Sequence, residues 1–224
     1  MKLGEVTQEK EFVVPGQELG GSGRFDLTCF KEQGKVYSSV LGLARKDPKE
    51  LSVIPSKGAY VPKEGDVVVG VIEDVINTVW LVDIGSPYKS FILRDEVIDK
   101  RDQNHQDMRQ IFAPGDIVSG KVERINEVHS HLLSKPWKLE KSLIIDVNPK
   151  RIPRVIGKNR SMLEIVKQKT GVHIIVGQNG RIWLKDGNIS LAVEAIRKIE
   201  REAQTHGLTN RITQYLDERS QKEK

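Results

Sequence analysis

The alternation of hydrophobic and polar positions changes character twice along the chain. Up to residue 62 the apolar residues form short β-prone runs that end in turn residues, and none repeats at helical spacing. These runs are Phe12–Val14 before Pro15-Gly16, Lys35–Leu43, and Leu51–Ile54 before Pro55. Residues 1–62 therefore predict a small β-rich domain. Because about 60 residues bury little surface of their own, we expect it to dock on a partner protein, with Phe12, Val13 and the 15–19 turn near the contact.

From residue 63 to residue 137 the pattern is that of half-buried strands. In one of them Val118, Gly120 and Val122 share a face, and polar side chains occupy the positions between. Glycines in mid-strand, such as Gly70 and Gly120, permit the tight bending that a small barrel needs. A polar stretch from 95 to 110 is expected to be helix and loop. The five predicted strands of a small closed barrel cover residues 67–72, 79–84, 90–93, 117–122 and 128–133.

Residues 138–206 combine helical and β patterns in the order β-α-α-β-β-α. The predicted elements, in that order, cover residues 142–147, 149–156, 161–170, 173–176, 181–184 and 189–205. Ser161 and Glu164 have the spacing of a capping box at the start of the second helix. Asn179-Gly180 predicts a type I′ turn between the last two strands, with positive φ at both central positions. Residues 207–224 are expected to form a polar tail with room for one short helix.

The net charge of +5 is unevenly distributed along the chain. Residues 1–62 carry 9 basic and 8 acidic side chains, residues 63–137 carry 9 and 13, and residues 138–224 carry 18 and 10. Between Lys141 and Arg160 six basic residues accompany a single acidic one. Such a surface attracts polyanions, most commonly nucleic acid phosphates, although a solvated helical face would have the same composition. Charge alone leaves both interpretations open.

The remaining composition predicts a soluble intracellular protein without a catalytic or metal centre. One cysteine, Cys29, cannot form an intramolecular disulfide, and no stretch approaches the roughly 18 apolar residues of a membrane helix. The first residues contain no apolar signal-peptide core, so a cytoplasmic location without membrane association is expected. The five histidines show no metal-ligand spacing, and no G-x-x-x-x-G-K-[ST] phosphate loop occurs. We therefore expect no enzymatic activity, no metal and no cofactor.

The middle segment resembles the OB-fold RNA-binding module named after ribosomal protein S-one. The resemblance rests on Gly65–Gly70 in the first strand, Trp80–Gly85 in the second and Gly115–Gly120 in the fourth. It implies a barrel that binds single-stranded RNA by stacking bases on aromatic side chains, while basic residues hold the backbone.

Matched position by position, the functional residues of that module fall on a few places in this sequence. Its aromatic in the second strand falls near Trp80, its polar residue after the third strand near Arg94, and its basic residue near His129 or His131. Where the module often shows two exposed aromatics around a Phe-Gly pair, this sequence has Asn77-Thr78, which weakens stacking. A core position for Trp80 is the alternative to a role in stacking.

The third segment resembles a KH domain, whose G-x-x-G loop joins two helices and contacts the nucleic acid backbone. Ile152–Ser161 matches this pattern except at the last glycine, which is Arg160. Glycine permits close approach of a phosphate because it has no Cβ, and the following helix adds a favourable dipole. The resemblance implies backbone contacts from Lys158, Asn159 and Arg160, and a purely structural loop is the alternative.

The order of the three segments is similar to that of the cap subunit of the archaeal RNA exosome, the Rrp-four type. Further support comes from Val14–Leu19, from Tyr60–Asp66 at the first boundary, and from the turn Gly177–Gly180 followed by Arg181-Ile182-Trp183. The resemblance implies a trimeric cap on a hexameric ring of ribonuclease PH-like subunits. Such a cap binds single-stranded RNA and threads it into the central pore without cutting it.

The predicted architecture is a multidomain β and α+β protein. It comprises a β-rich N-terminal domain (1–62), an OB-fold barrel (63–137), a KH domain (138–206) and a polar tail (207–224). Two other families combine similar modules: phosphorolytic exoribonucleases in the reverse order behind catalytic domains, and antitermination-type transcription elongation factors usually with two KH domains. Only 19 residues follow residue 205, and we expect no second KH domain there. The candidate RNA contacts are Lys89, Arg94, Lys121, Arg124, His129, His131, Lys158, Asn159 and Arg160.

Overall fold

A computed structural model gives the fold of residues 11–20, 24–25, 28–46, 50–55, 60–98, 107–125, 130–203, 205 and 207–222. Residues 1–58 and residues 59–224 form two separate units. The described strands fall into two small sheets in the first unit, and into a closed barrel and a three-stranded sheet in the second. This is the multidomain β and α+β architecture that the sequence predicts.

The two sheets of the N-terminal unit share one hydrophobic core. The described strands are β1 (Phe12–Val13), β2 (Glu18–Gly20), β3 (Arg24–Phe25), β4 (Cys29–Glu32), β5 (Lys35–Ser38), β6 (Gly42–Lys46) and β7 (Glu50–Pro55). One sheet has the order β1-β6-β7-β3 and the other β2-β5-β4. The side chains buried between them include Val13, Leu19, Val36, Ala44 and Val53. The predicted run Lys35–Leu43 is divided into β5 and β6, because the Ser38 hydroxyl donates to the Val40 carbonyl (2.6 Å) where the chain turns.

The predicted five-stranded barrel is confirmed. Its strands are β8 (Val67–Ile76), β9 (Val79–Asp83), β10 (Ser90–Leu93), β11 (Ile117–Ile125) and β12 (His131–Leu139), and they close in the order β10-β12-β11-β8-β9. A 3-10 turn (Arg94–Glu96) and the short helix α1 (Met108–Ile111) lie between β10 and β11. A Cβ on Gly70 would lie 2.5 Å from Cγ1 of Val82, so this close approach requires glycine. The last strand begins later than predicted and continues to Leu139.

The second part of this unit has the predicted order β-α-α-β-β-α. Its elements are β13 (Leu143–Asp146), α2 (Ile152–Ile156) after a 3-10 turn (Pro149–Arg151), α3 (Ser161–Thr170), β14 (His173–Val176), β15 (Arg181–Lys185) and α4 (Ile189–Arg201). The sheet has the antiparallel order β13-β15-β14. The sheet and the helices bury one cluster in common, which includes Val155, Val166, Ile182, Leu184 and Ile196.

The C-terminal segment, expected to be a polar tail, forms the 15-residue helix α5 (Leu208–Lys222). Leu208, Ile212 and Leu216 recur at four-residue spacing and are 5%, 0% and 0% exposed in the same cluster as α3 and α4. Polar residues dominate the composition of this segment and hide the narrow apolar stripe. The helix therefore belongs to the core of the second unit.

Candidate nucleic-acid interface

The turn between β14 and β15 closes an open edge of the barrel. β11 pairs with residues 67–71 of β8 and β9 with residues 71–76, so no described strand lies along the other edge of the first β8 residues. Gln178 in the turn fills part of this edge, because its N–H donates to the Val67 carbonyl (2.8 Å) and its side-chain oxygen accepts from the Val67 N–H.

Asn179 acts at this edge as an additional peptide group. Its side chain is buried, and Oδ1 accepts from the Val69 N–H (3.1 Å). Nδ2 donates to the carbonyls of Val69 (2.7 Å) and Ile84 (2.8 Å). A carboxamide can pair in this way because it carries donors and an acceptor in one plane, as a peptide does. The three bonds lie away from water, where an unmade bond is most costly.

The type I′ conformation predicted for this turn is wrong. Of residues 177–180 only Gly180 has a positive φ, 91°, and its N–H donates to the Gly177 carbonyl (3.1 Å). The conformational requirement therefore falls on Gly180, and Asn179 is used for its side chain. A Cβ on Gly177 would lie 2.7 Å from the Val69 nitrogen, so the close contact with the barrel also requires glycine there.

Arg181 and an apolar cluster reinforce the same junction. Nη1 of Arg181 donates to the Asp83 carbonyl (2.6 Å), and Nη2 lies 2.5 Å from the Asp83 carboxylate. Burial would raise the pKa of Asp83, but the hydrogen bonds from Arg181 and Gly85 together with the guanidinium charge hold this pKa below its ordinary value. The buried members of the cluster are Val69, Ile117, Leu139 and Trp183. The barrel and the α+β part of the second unit (residues 143–222) are thus joined by both polar and apolar contacts.

Four of the predicted RNA contacts are basic residues of the barrel. They are Lys89, Arg94, Lys121 and Arg124, and within the described residues none of these side chains makes an ion pair or a hydrogen bond. Arg124 lies opposite Leu132, which lies opposite Phe91, and Lys89 precedes Phe91 by two residues. The register therefore brings Lys89 and Arg124 to the half-buried Phe91, a residue that the sequence reasoning missed. Arg94, half-buried, lies beyond the other end of β10.

The structure corrects the expectation for His131. This residue is 1% exposed, its Nδ1 lies 3.2 Å from the Ser90 hydroxyl, and its ring packs edge-on against Tyr88. An imidazole inside the barrel does not reach a phosphate, so His131 leaves the set of candidate contacts. His129 lies outside the described residues.

Trp80 occupies the core and not a stacking position. It is 0% exposed, and its Nε1 donates to the carbonyls of Met108 (3.1 Å) and Phe112 (3.0 Å). Its ring also packs edge-on against the Phe112 ring. The core alternative is therefore the correct one for Trp80.

The loop between α2 and α3 presents its three predicted contacts to solvent. Lys158, Asn159 and Arg160 are all exposed, and neither cation is paired within the part of the chain that the structure describes. Arg160 stands where the last glycine of the motif is expected and keeps a left-handed φ of 63°. The predicted capping box is wrong, because Ser161 is already helical and Arg160 is the N-cap residue, with no side-chain cap bond. The loop thus has a left-handed backbone at the position of the missing glycine and carries a charge there.

A groove of about 500 Å³ lies between this loop and the start of the barrel. The Tyr60 hydroxyl at its wall donates to Asp66 Oδ2 (2.7 Å), and burial together with this carboxylate raises the pKa of Tyr60. Its remaining lining includes Lys63, Pro149, Lys150, Ile152, Ile156, Gly157 and Gln178. Sequence reasoning could not find this groove, because its walls come from segments more than 80 residues apart.

No metal-binding group is found among the described residues. In those ranges no three His, Cys, Asp or Glu side chains are grouped so that they could hold an ion. Of the helices described, none is long and apolar enough to cross a membrane. The described residues of this region offer charge, hydrogen-bonding groups and aromatic surface.

Comparison with known proteins gives consistent matches along the chain. A family model described as "RRP4, S1 domain" matches residues 59–124, and one described as "KH domain" matches residues 143–190. The chain is 43% identical to the exosome complex component Rrp4 of Pyrococcus furiosus over 93% of this chain and 83% of that protein. It is 39% identical to the protein of the same name from Methanothermus fervidus, over 93% and 96% of the two chains.

A solved structure agrees with these matches. A crystal structure described as an exosome complex RNA-binding protein superposes with a TM-score of 0.67 and 34% identity. The superposition covers 75% of this chain and all of that one.

Proposed function

The chain belongs to the Rrp4 family of exosome complex components, and from this we propose that it is a non-catalytic RNA-binding cap subunit of that complex. In this role it recruits single-stranded RNA in the cytoplasm and guides it into the central pore of a ring of ribonuclease PH-like subunits. Three copies form the cap. The antitermination-type alternative is not favoured, because the relatives carry the exosome name.

One observation carries the RNA-binding role: unpaired cations on two domains that are joined by a buried junction. Among the described residues these unpaired cations are Lys89, Arg94, Lys121, Arg124, Lys158 and Arg160. Cations without a protein partner are free to contact phosphates, and such contacts dominate affinity when base-edge readout is absent. We infer that binding is largely independent of sequence.

Affinity for single-stranded RNA across a salt series tests this role. Reversing Lys158 and Arg160 to Glu should weaken binding of every sequence alike, by about 1–3 kcal/mol in total. Reversing Arg94 and Arg124 should do the same if the barrel faces the RNA path. For wild type, the logarithm of the binding constant should fall with salt by roughly 0.7 per contacted phosphate.

Two further outcomes of that series decide between the surfaces. A matched control reverses Lys31 and Arg201, two exposed cations on neither surface, and should bind like wild type. A KH-loop variant that binds normally while the barrel variant fails would make the loop structural. Unchanged affinity and salt slope in both variants would remove these residues from the RNA contact.

An exposed apolar row in the N-terminal unit supports docking on the ring. Phe12 lies opposite Leu43, which lies opposite Ile54, and Phe12 and Ile54 are each 51% exposed. Apolar side chains on one face of neighbouring strands are typical of a protein contact. Val13, expected near this contact, is fully buried and belongs to the core of the unit.

Substitution of this row tests the docking. Phe12→Glu with Ile54→Glu should abolish co-purification with the ring subunits and leave RNA affinity unchanged. Phe30→Glu alters an equally apolar side chain, 40% exposed on the other sheet, and is the control. Retained co-purification of the double variant would place the contact elsewhere.

The absence of catalysis has a direct test. The purified chain is incubated with end-labelled RNA, phosphate and Mg²⁺, and we expect no shortening of the RNA. Phosphate-dependent shortening by a contaminant-free preparation would contradict the non-catalytic role. A pull-down from cell extract should recover ring ribonucleases, whereas recovery of RNA polymerase would favour the transcription factor alternative.

A further inference from the structure

One aromatic side chain of the barrel is displayed to solvent in a way that the other tryptophans are not. Trp137 is 72% exposed, whereas Trp80 and Trp183 are 0% and 6% exposed and donate their indole N–H groups to backbone carbonyls. Aromatic side chains normally contribute large buried areas, so a largely exposed indole is the informative exception.

An irregularity in β12 places Trp137 on the outer face. Ser119 of β11 pairs with Trp137, but Lys121 pairs with Ser134, so β12 contains an extra residue between these pairs. Lys135 in this bulge has a left-handed φ of 49°. Bulges of this kind redirect side chains and recur next to binding sites. The bulge sets the direction in which Trp137 points.

The surroundings of Trp137 are basic. Lys121 lies two residues after Ser119 on the same face of β11, and Lys135 lies two residues before Trp137. Both lysines are exposed and unpaired in the described ranges. Arg124 continues the same strand, and Glu123 is on the far side of Lys121 from Trp137. Lysine is depleted from protein–protein interfaces, whereas an aromatic beside free cations is the arrangement that binds single-stranded nucleic acid.

We propose that Trp137 is a base-stacking platform for single-stranded RNA, with Lys121 and Lys135 contacting the neighbouring phosphates on one side of it. This rests on the proposed RNA-binding function and names a residue and a path for it. The RNA then lies along β11 and β12, from Trp137 toward Arg124. This path ends at Arg124, which the strand register also brings to Phe91 and Lys89.

Tryptophan fluorescence of the full chain tests the platform directly. Because the other two indoles are buried, saturation with oligouridylate should quench the emission of Trp137, and the Trp137→Phe variant should lose this response. An independent readout is the fluorescence anisotropy of labelled oligouridylate. By anisotropy Trp137→Ala should bind roughly 5- to 150-fold more weakly, the effect of one lost stacked base, and Trp137→Phe should retain most of the affinity.

The salt dependence separates stacking from charge. Trp137→Ala should lower affinity at every salt concentration without changing the slope, whereas Lys121→Ala should reduce the slope by about 0.7. Leu143→Ala, a substitution of another exposed apolar side chain, should change neither. Unquenched emission at saturation, or Trp137→Ala affinity within twofold of wild type, would overturn the proposal. Absence of any binding by wild type would instead refute the proposed function.

Discussion

Replacement of Asn179 is the sharpest test of how the barrel and the KH domain are held together. Asn179→Ala removes the partner of three buried backbone groups, the Val69 N–H, the Val69 carbonyl and the Ile84 carbonyl. A buried group left without a partner costs about 1–3 kcal/mol, and water entering the space offsets part of the sum. We therefore expect a loss of about 3–5 kcal/mol, a large fraction of the stability of an ordinary domain.

Two further variants grade this effect. Asn179→Asp keeps the shape of the side chain but directs a carboxylate oxygen, which can only accept hydrogen bonds, at two carbonyl oxygens. At neutral pH this variant should therefore lose more unfolding free energy than Asn179→Ala. Protonation restores one donor, and the difference between the two variants should shrink as pH falls. Gln178→Ala removes a bond at the exposed edge of the junction and should cost less than about 1 kcal/mol.

Urea unfolding of the full chain measures these differences. All three tryptophans lie in residues 59–224, so their fluorescence reports on the unit that contains the junction. The midpoint and slope of the transition give the change in the free energy of unfolding. If Asn179→Ala lies within 1 kcal/mol of wild type, or is no worse than Gln178→Ala, the side-chain pairing does not hold the domains together.

Three other substitutions have expected outcomes that follow from single contacts. Asp83→Asn should lower the free energy of unfolding by about 1 kcal/mol at pH 7. A carboxylate whose pKa is depressed stabilises the fold only while it is ionised, so in a pH series of urea melts the difference from wild type should disappear below about pH 4. Arg160→Gly should change thermal stability by no more than about 1 kcal/mol, since relief of the left-handed strain is offset by the freedom of glycine, while its RNA salt slope falls by about 0.7. Leu216→Ala should cost about 2–5 kcal/mol, where a polar tail would predict no change in calorimetric unfolding.

Element type and order could be predicted from the sequence because periodicity reports them directly. The barrel strands and the order β-α-α-β-β-α follow from runs of apolar residues that tertiary contacts reinforce. Composition does not predict helix α5 as part of the core, since three buried positions among residues 208–219 leave this segment polar. A count of spacing alone, Leu208-Ile212-Leu216, would have found it.

Side-chain roles were harder to predict because they depend on which chain segments meet. His131 and Trp80 occupy strand positions that a family pattern associates with ligands, yet both side chains are enclosed by the barrel. The sequence predicts only a turn at Asn179, since nothing local reveals that Val69, 110 residues earlier, supplies its partners. Arg160 shows the converse: the glycine expected for its missing Cβ is absent, and the backbone at this position nevertheless has a left-handed φ.

The junction at Asn179 also bears on how tightly the barrel and the KH loop can bind one RNA together. In the proposed role, each cation on the barrel or in the KH loop adds a modest, salt-sensitive interaction with one phosphate. When the two domains are fixed to each other, the second contact with the same RNA is intramolecular. The second surface then meets the RNA at an effective concentration set by the distance between the surfaces, and not at the RNA concentration in solution. The benefit depends on geometry, because a strand that cannot reach both surfaces gains nothing. We therefore expect Asn179 and Arg181, which hold the two domains together, to affect RNA affinity through the relative position of these domains. An Asn179 variant that remains folded should lose affinity although every cation is intact.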